Sequence, residues 1–256
     1  MKYIFAYIGS GAGEKSNTYN LTKKILDSVV SKNPYIYTEY EIFTPKNTKI
    51  SRCMSCNNCF STCICPLDKS DDMELLKNKM LDADFIIWGS PVYAHQVSGD
   101  MKTFIDRLSY WMHLMCLCSK PGMALSTTSS NGHLFVIDYL EKIMNFAGIM
   151  VVKKLNASVS FPDELMNTAW LEKSIDECSN LILDYITGVK NVESTNFQEL
   201  IFQSNKNLID RNENHKSGEY YYWSKNGYFG CKSFSDLIVL KQNRLLKAIE
   251  KMSRNR

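Results

Sequence analysis

The segment KYIFAYIGSGAGEKSNT, from Lys2 to Thr18, decides the fold class of this 256-residue chain. Its first part, Lys2–Ile8, is aromatic and branched, which predicts a buried strand. Glycines follow at positions 9, 11 and 13, and a helical pattern runs from about Tyr19 to Ser31. The segment therefore predicts a strand, then a loop of the size that surrounds a phosphate, then a helix.

The same alternation of short apolar strands and helices continues to about residue 188. Further strands are predicted at Tyr35–Phe43, Asp84–Ser90, Pro121–Thr127 and Ile149–Ala157. Further helices are predicted at 70–83, Asp100–Met112, Gly132–Ala147 and Asp163–Thr187. This order is typical of an α/β fold, and it predicts a doubly wound, five-stranded parallel sheet in residues 1–188.

A helical C-terminal extension is predicted at residues 189–256. The composition becomes polar and rich in Asn and Lys from about Asn191, and helices are predicted at Asn196–Ile209 and Ser233–Met252. The last helix carries Leu237, Leu240, Leu245 and Ile249 among basic residues. We expect these apolar side chains to pack on the body of the protein or on a second subunit.

The composition is that of a globular protein, with 45% hydrophobic and 22% charged residues. No apolar run approaches the length of a membrane span, and a net charge of +3 is too small to indicate a nucleic-acid partner. The start of the chain lacks a cleavage pattern and is interpreted as a strand, not as a signal peptide. These features predict a cytoplasmic protein without a membrane or nucleic-acid partner.

Three polar loops are expected at the carboxyl edge of the sheet, where doubly wound proteins bind ligands. The first is Gly9–Thr18, which matches neither the P-loop nor G-x-G-x-x-G, so a dinucleotide-binding dehydrogenase is disfavoured. The second is GSPVYAHQVSGDMKTFIDRL, Gly89–Leu108, and the third is TTSSNGH, Thr127–His133. Each loop alone is compatible with ordinary turn chemistry, but three at one edge favour a ligand site.

Five of the nine cysteines lie in RCMSCNNCFSTCICP, directly after the second predicted strand. They are Cys53, Cys56, Cys59, Cys63 and Cys65. Such close spacing disfavours disulfides among them and suits thiolates that converge on one soft metal centre.

With these motifs the sequence resembles the flavodoxin-like NAD(P)H-dependent FMN reductases and, within them, the iron-sulfur flavoproteins. The motifs are the Ser-Asn-Thr loop, the segment SPVY followed by MKTFIDR, and a C-x2-C-x2-C-x5-C run followed by DDM. The resemblance covers about residues 1–188. It implies a flavodoxin-like sheet that binds FMN, with the cysteine-rich segment 51–68 inserted after strand 2.

The resemblance also implies a role for each polar loop. The FMN phosphate is expected at Ser10, Ser16, Asn17 and Thr18. The isoalloxazine is expected at Pro91, Val92 and Tyr93. Its other side is expected to be lined by Thr127, Thr128, Ser129, Asn131 and Gly132. No residue is assigned as a catalytic acid or base.

For the cysteines, the resemblance implies a [4Fe-4S] cluster held by Cys53, Cys56, Cys59 and Cys65. Cys63 is an alternative fourth ligand, because it provides the x3 spacing of bacterial ferredoxins. Free or redox-active thiols remain a second interpretation. Zinc is a third, although structural zinc sites usually need a second Cys or His pair.

The expected function is FMN-dependent oxidation and reduction, with electrons from NAD(P)H or a ferredoxin-type donor passing to a small-molecule acceptor. The alternative is a non-enzymatic electron carrier or redox sensor with FMN and free thiols. The resemblance further implies a homodimer or homotetramer in which the flavin lies near a subunit interface.

Overall fold

The structure, a computed structural model, describes residues 1–160, 162–211 and 215–254, with side chains as far as Lys247. Its strands are β1 (Lys2–Ile8), β2 (Thr38–Phe43), β3 (Phe85–Tyr93), β4 (Gln96–Val97), β5 (Pro121–Thr128) and β6 (Met150–Ser158). Five of them form a parallel sheet in the order β2-β1-β3-β5-β6, and β4 pairs antiparallel with β3. The predicted doubly wound sheet with five parallel strands is therefore confirmed, and its chain order reverses at β1 and β3.

The helices cover both faces of the sheet. They are α1 (Asn17–Lys32), α2 (Asn58–Thr62), α3 (Met73–Asp82), α4 (Gly99–Asp106), α5 (Ser109–Leu114), α6 (His133–Phe146), α7 (Thr168–Ile186), α8 (Asn196–Ile209), α9 (Gly218–Lys225) and α10 (Phe234–Arg254). None of those in the described part of the chain combines the length and apolar character that a membrane crossing requires.

Alternation along β1 divides the core into two clusters. Ile4, Ala6 and Ile8 pack in the cluster that includes residues of α1 and α7. Phe5 and Tyr7 pack in the larger cluster on the opposite face, which includes residues of α3 to α6. The body is thus a three-layer α/β arrangement.

The C-terminal extension packs into the larger cluster. Phe202, Trp223 and Phe234 are almost fully buried there. Trp223 Nε1 donates to the carbonyl of His113 at 3.1 Å, and Gln198 Nε2 donates to the carbonyl of Ile149 at 3.0 Å. These bonds satisfy buried polar groups, so the extension is firmly attached to the body.

The last helix follows its predicted pattern only in part. Leu237 is buried and Leu240 packs against the larger cluster, whereas Leu245 is exposed. The side chain of Ile249, which was predicted to pack with them, lies outside the described residues. Among the side chains of α10 that the structure describes, the apolar ones that pack on the body lie at or before Leu240.

Three predicted boundaries are wrong. Strand β2 begins at Thr38 instead of Tyr35, since the preceding side chains, including Tyr35, are largely exposed. Helix α7 begins at Thr168, where Asn167 Oδ1 accepts a bond from the backbone of Trp170 and provides the cap. The single helix predicted at Asp100–Met112 is two helices, α4 and α5, separated at Arg107 and Leu108.

Candidate functional site

The first loop joins β1 to α1 and surrounds the N-terminus of that helix. Ser16 is its N-cap, and its Oγ accepts hydrogen bonds from the backbone of Thr18 at 3.1 Å and Tyr19 at 3.4 Å. Ser10 is buried beside it, and Gly13 has a φ of 57°, which glycine adopts without strain. A helix N-terminus edged by hydroxyls is suited to an anion.

The second loop is bonded directly to the first. Ser98, the N-cap of α4, donates from Oγ to the carbonyl of Gly9. Its backbone N–H donates to Ser90 Oγ at 3.0 Å, and Ser90 Oγ in turn donates to the carbonyl of Pro91 at 2.8 Å. This chain of hydrogen bonds fixes the position of the second loop relative to the first.

The third loop is bonded to the first from the other side. Thr18 Oγ1 and Thr127 Oγ1 share a buried hydrogen bond of 2.7 Å. Thr128 Oγ1 donates to the carbonyl of Asn131 at 2.7 Å and closes the loop on itself. All three predicted loops therefore meet at one end of the sheet.

The three loops line one cavity of about 240 Å³. The predicted residues that line it are Ser10, Ser16, Asn17, Pro91, Val92, Tyr93, Thr127, Thr128 and Ser129. Thr18 is buried behind the cavity, while Asn131 and Gly132 lie outside its lining. The sequence interpretation missed Ala12 and Lys15, which also line the cavity.

Lys15 adds a positive charge to this cavity. Its side chain is exposed, and it forms no ion pair with any residue that the structure describes. It directly precedes the Ser16 cap, so the Lys-Ser-Asn-Thr order was the available sequence signal. A free ammonium at a helix N-terminus strengthens the attraction for a phosphate.

Strand β3 continues past the cavity into a tight hairpin with β4. The two turn residues, Ala94 and His95, have φ values of 47° and 62°. This left-handed conformation is favourable in two-residue hairpins but strained for residues other than Gly, Asn and Asp. Gly132 packs against the turn, because a Cβ on it would lie 3.0 Å from the Cα of His95. The turn holds Tyr93, which is 54% exposed, at the rim of the cavity.

The cysteine segment lies between β2 and α3 and contains the short helix α2. All nine cysteines of the chain are free thiols. A cavity of about 400 Å³ is lined by Cys53, Cys56, Cys59 and Cys65, together with apolar groups such as Phe60 and Leu67. Four of the five clustered thiols therefore share one concave surface.

Cys63 lies apart from this cavity. Burial raises the pKa of Cys59, and the neighbouring Cys65, Cys53 and Cys56 raise it further. Burial likewise raises the pKa of Cys63 to about 12, and the charges of Glu219 in the extension and of Cys59 raise it further. The cavity lining, which includes Cys65 but not Cys63, favours Cys65 as the partner of the other three thiols.

The thiols are not drawn together into a coordination shell. Within the described ranges, no three His, Cys, Asp or Glu side chains form a group that could hold a metal ion. Four thiols around one partly apolar cavity are nevertheless the donor set that iron-sulfur clusters require. The residues fit a cluster in chemistry and in shared location.

Arg107 anchors both ends of the cysteine segment. Its Nη1 donates to the carbonyl of Ser51 at 2.8 Å and forms an ion pair with Asp71, and its Nη2 lies 2.9 Å from Asp68 Oδ1. Lys77 Nζ lies 2.6 Å from Asp68 Oδ2. Burial alone would lower the pKa of Arg107, but the hydrogen bonds to Asp71 and Asp68 raise it, so the guanidinium stays charged.

Helix α9 of the C-terminal extension packs against the cysteine segment. A Cβ on Gly218 would lie 2.5 Å from the carbonyl oxygen of Ser61, so α9 packs directly on the backbone of α2. His113 Nδ1 lies 2.9 Å from Glu219 Oε1, and its ring contacts Phe60 with a centroid distance of 5.2 Å. Body, extension and cysteine segment therefore meet at α2.

Comparison with known proteins identifies the family of the sheet-forming part of the chain. The family described as NADPH-dependent FMN reductase matches residues 4–163. An iron-sulfur flavoprotein of Archaeoglobus fulgidus is 25% identical over 212 residues, which cover 82% of this chain and 94% of that relative. An iron-sulfur flavoprotein of Clostridioides difficile is 26% identical over 167 residues, which cover 61% of this chain and 72% of the relative.

A solved structure has the same fold. The apo form of an NADH:FMN oxidoreductase superposes with a TM-score of 0.54 at 17% identity, covering 77% of this chain and 94% of that chain. At this level of identity the likeness concerns the arrangement of strands and helices alone.

Proposed function

This chain belongs to the NADPH-dependent FMN reductase family, and from that premise we propose that it is an iron-sulfur flavoprotein that transfers electrons through FMN and a [4Fe-4S] cluster. The family supports an FMN-dependent oxidoreductase. The observation that carries the proposal is the meeting of three hydrogen-bonded loops at the carboxyl ends of β1, β3 and β5, around one cavity. Ligands of doubly wound sheets bind at this position, where the strand order reverses.

FMN would be held by groups that the fold has already positioned. The helix N-terminus with Ser10, Ser16 and Asn17 suits the phosphate, and Lys15 supplies a positive charge beside it. Tyr93 and the backbone from Pro91 suit the edge and face of a flat ring. When bound, the flavin supplies the ability to accept a hydride or two single electrons.

The cluster would be held by Cys53, Cys56, Cys59 and Cys65, which share one cavity. The apolar lining limits water access, and the nearby Arg107 supplies a permanent positive charge, both of which tune iron-sulfur centres. The names of the two relatives support this part of the proposal.

The proposed donors are NAD(P)H or a ferredoxin-type protein, and the proposed acceptor is a small molecule. A homodimer or homotetramer is proposed as the working form, with the exposed Tyr93 facing the neighbouring subunit. A reducing cytoplasm is proposed as the location, because it would keep the clustered thiols available as ligands.

Anaerobic purification, followed by a visible spectrum and assays for flavin, iron and sulfide, tests both cofactors. We expect one FMN per chain and about four irons with four sulfides. Protein that binds no added FMN would contradict the flavin proposal. Flavin-bound protein without iron after anaerobic reconstitution would contradict the cluster alone. Turnover with NAD(P)H and added acceptors separates an enzyme from a carrier or sensor that only a protein donor reduces.

Two matched pairs of variants test the residues. Cys65→Ala is expected to lose most of the bound iron, whereas Cys63→Ala retains it, because only Cys65 lines the cavity of the other three thiols. Lys15→Met is expected to weaken FMN binding roughly five- to tenfold and to reduce its salt dependence. Lys24→Met, an exposed control on α1 outside this cavity, should leave FMN affinity unchanged.

A further inference from the structure

A third cavity, of about 300 Å³, opens at the carboxyl ends of β1 and β2. Its lining shares no residue with the cavity of the three loops, which is proposed for FMN, or with the cavity lined by the cysteines. The polar residues in it are Tyr7, Thr48, Lys49, Arg52, Asp100 and Thr103. We infer that this cavity, whose lining residue Arg52 directly precedes Cys53 in the sequence, binds a small hydroxycarboxylate. The inference goes beyond the proposed function, because it concerns a second ligand and a second site.

The charge of the cavity is the first argument. Lys49 and Arg52 are both exposed, and neither forms an ion pair with a residue in the described ranges. Asp100 is the single carboxylate in the lining, so the cavity has a net positive charge. Two cations attract a carboxylate, and the arginine can bind it through two parallel hydrogen bonds.

Hydrogen bonds fix the backbone that carries Lys49 and Arg52. The N–H of Lys49 donates to Asp72 Oδ2 at 2.6 Å, and the N–H of Ser51 donates to Asp71 Oδ2 at 2.9 Å. The carbonyl of Ser51 accepts from the buried Arg107. The segment that carries Lys49 and Arg52 is thus fixed before any ligand arrives, which lowers the entropic cost of binding.

Tyr7 gives the second, independent argument. It lines the cavity although its side chain is only 1% exposed and stacks on Phe104 with a ring-centroid distance of 4.0 Å. Its hydroxyl forms no hydrogen bond with the residues that the structure describes. A donor in the cavity lining without a protein partner is available to hydrogen-bond a ligand oxygen. Burial and the charge of Asp100 raise the pKa of Tyr7, so the hydroxyl remains a donor.

Asp100 explains why the ligand needs a hydroxyl. A carboxylate in the lining opposes a second negative charge but accepts a hydrogen bond from a ligand hydroxyl. The remaining lining, Pro45 and Ile50, offers contact for a short apolar part or a ring. A molecule with one carboxylate and one hydroxyl therefore matches the cavity better than a phosphate or a dicarboxylate.

Calorimetry on the purified full chain, titrated with 4-hydroxybenzoate, tests the inference. The neutral isostere 4-hydroxybenzamide is the matched ligand, and we expect it to bind at least tenfold more weakly. Arg52→Met and Tyr7→Phe should each weaken 4-hydroxybenzoate roughly tenfold. Lys69→Met, an exposed lysine outside the cavity, should not change the affinity.

Equal affinity for the acid and the amide would overturn the inference. So would an affinity that neither Arg52→Met nor Tyr7→Phe changes, or the absence of binding at millimolar concentrations. The titration needs no electron transfer, so its failure leaves the flavin and iron assays unaffected. Conversely, protein that lacks flavin or iron but discriminates the two probes would support this site and contradict the proposed function.

Discussion

Arg107 and Asp71 form an ion pair in which neither side chain is exposed to solvent. Removing one partner of such a pair leaves a buried charge without compensation. We therefore expect Arg107→Met to lower the free energy of unfolding by about 3–5 kcal/mol. Because Arg107 holds both Ser51 and Asp68, the same variant should increase hydrogen exchange across residues 52–67.

The control lies on the same stretch of chain. Lys102 pairs with Asp106 on the exposed surface of α4. Lys102→Met should change stability by less than about 1 kcal/mol and leave exchange in the cysteine segment unchanged. Equal exchange in the two variants would show that Arg107 does not order this segment.

Asp71 makes the anchoring of the cysteine segment by Arg107 sensitive to low pH. Burial alone would raise the pKa of Asp71, but hydrogen bonds from Arg107, Ser51 and Met73 outweigh it and lower the pKa. A carboxyl group with a lowered pKa in the folded protein stabilises the fold at pH values above its pKa in the unfolded chain. This stabilisation is lost as the pH falls through its pKa in the folded protein. The anchoring of the cysteine segment is therefore complete at neutral pH.

Local patterns predicted the part of the site that local interactions build. The apolar run of β1, its glycines and the Ser16 cap are adjacent in sequence, so strand, loop and helix could be predicted together. The order of the later strands then placed the second and third loops at the same edge. The fold and most of the candidate flavin cavity followed from these signals.

Long-range contacts explain what the sequence did not reveal. Arg107 lies within an apparently continuous helical pattern, and its partners Ser51 and Asp71 are 56 and 36 residues away. Helix α9 lies in an aromatic segment without clear periodicity, and it forms against α2. The choice between Cys63 and Cys65 likewise depends on which thiol faces the extension. None of these relationships has a local sequence signal.

The buried hydrogen bond between Thr18 and Thr127 should couple the first and third loops. We expect Thr18→Val and Thr127→Val each to lower the free energy of unfolding by about 1–2 kcal/mol, because each leaves a buried hydroxyl unpaired. The double variant should lose less than the sum, with a coupling of at least about 0.5 kcal/mol. Denaturant unfolding of the flavin-free protein measures the cycle, and FMN titration shows whether the cavity loosens with it.

Thr22→Val is the matched control for this cycle. Thr22 is also fully buried on α1, but its Oγ1 donates to the carbonyl of Thr18 and not to the third loop. Its effect should add to that of Thr127→Val. Additive behaviour of Thr18→Val with Thr127→Val would contradict the coupling.

Gly218 should be intolerant of any side chain. A Cβ there would lie 2.5 Å from the carbonyl oxygen of Ser61, so Gly218→Ala must push α9 away from α2. We expect a loss of about 1–3 kcal/mol in unfolding free energy and faster alkylation of Cys63, which is half-buried near Glu219. Gly230→Ala is the control, since a Cβ on Gly230 would meet no atom within 4 Å, and it should change neither quantity.

Lys120 should make stability depend on alkaline pH. It directly precedes β5, and its Nζ donates to the carbonyl of Ala83 at 2.7 Å. Burial lowers the pKa of Lys120 from 10.5 to about 8, and the charges of Asp84 and Asp82 only partly oppose this. Between these two values the unfolded chain binds more protons than the native protein, so the free energy of unfolding rises with pH.

The variant Lys120→Met lacks this titration, so its comparison with the natural chain isolates the effect. The free energy of unfolding of the natural chain minus that of Lys120→Met should increase by about 2 kcal/mol between about pH 7.5 and 9.5. Loss of the bond to Ala83 adds a constant offset that does not depend on pH, and tyrosine ionisation cancels in the difference. Lys120→Arg, which stays protonated throughout, should also lack the rise. A difference that stays constant over this range would show that Lys120 keeps its proton in the native protein.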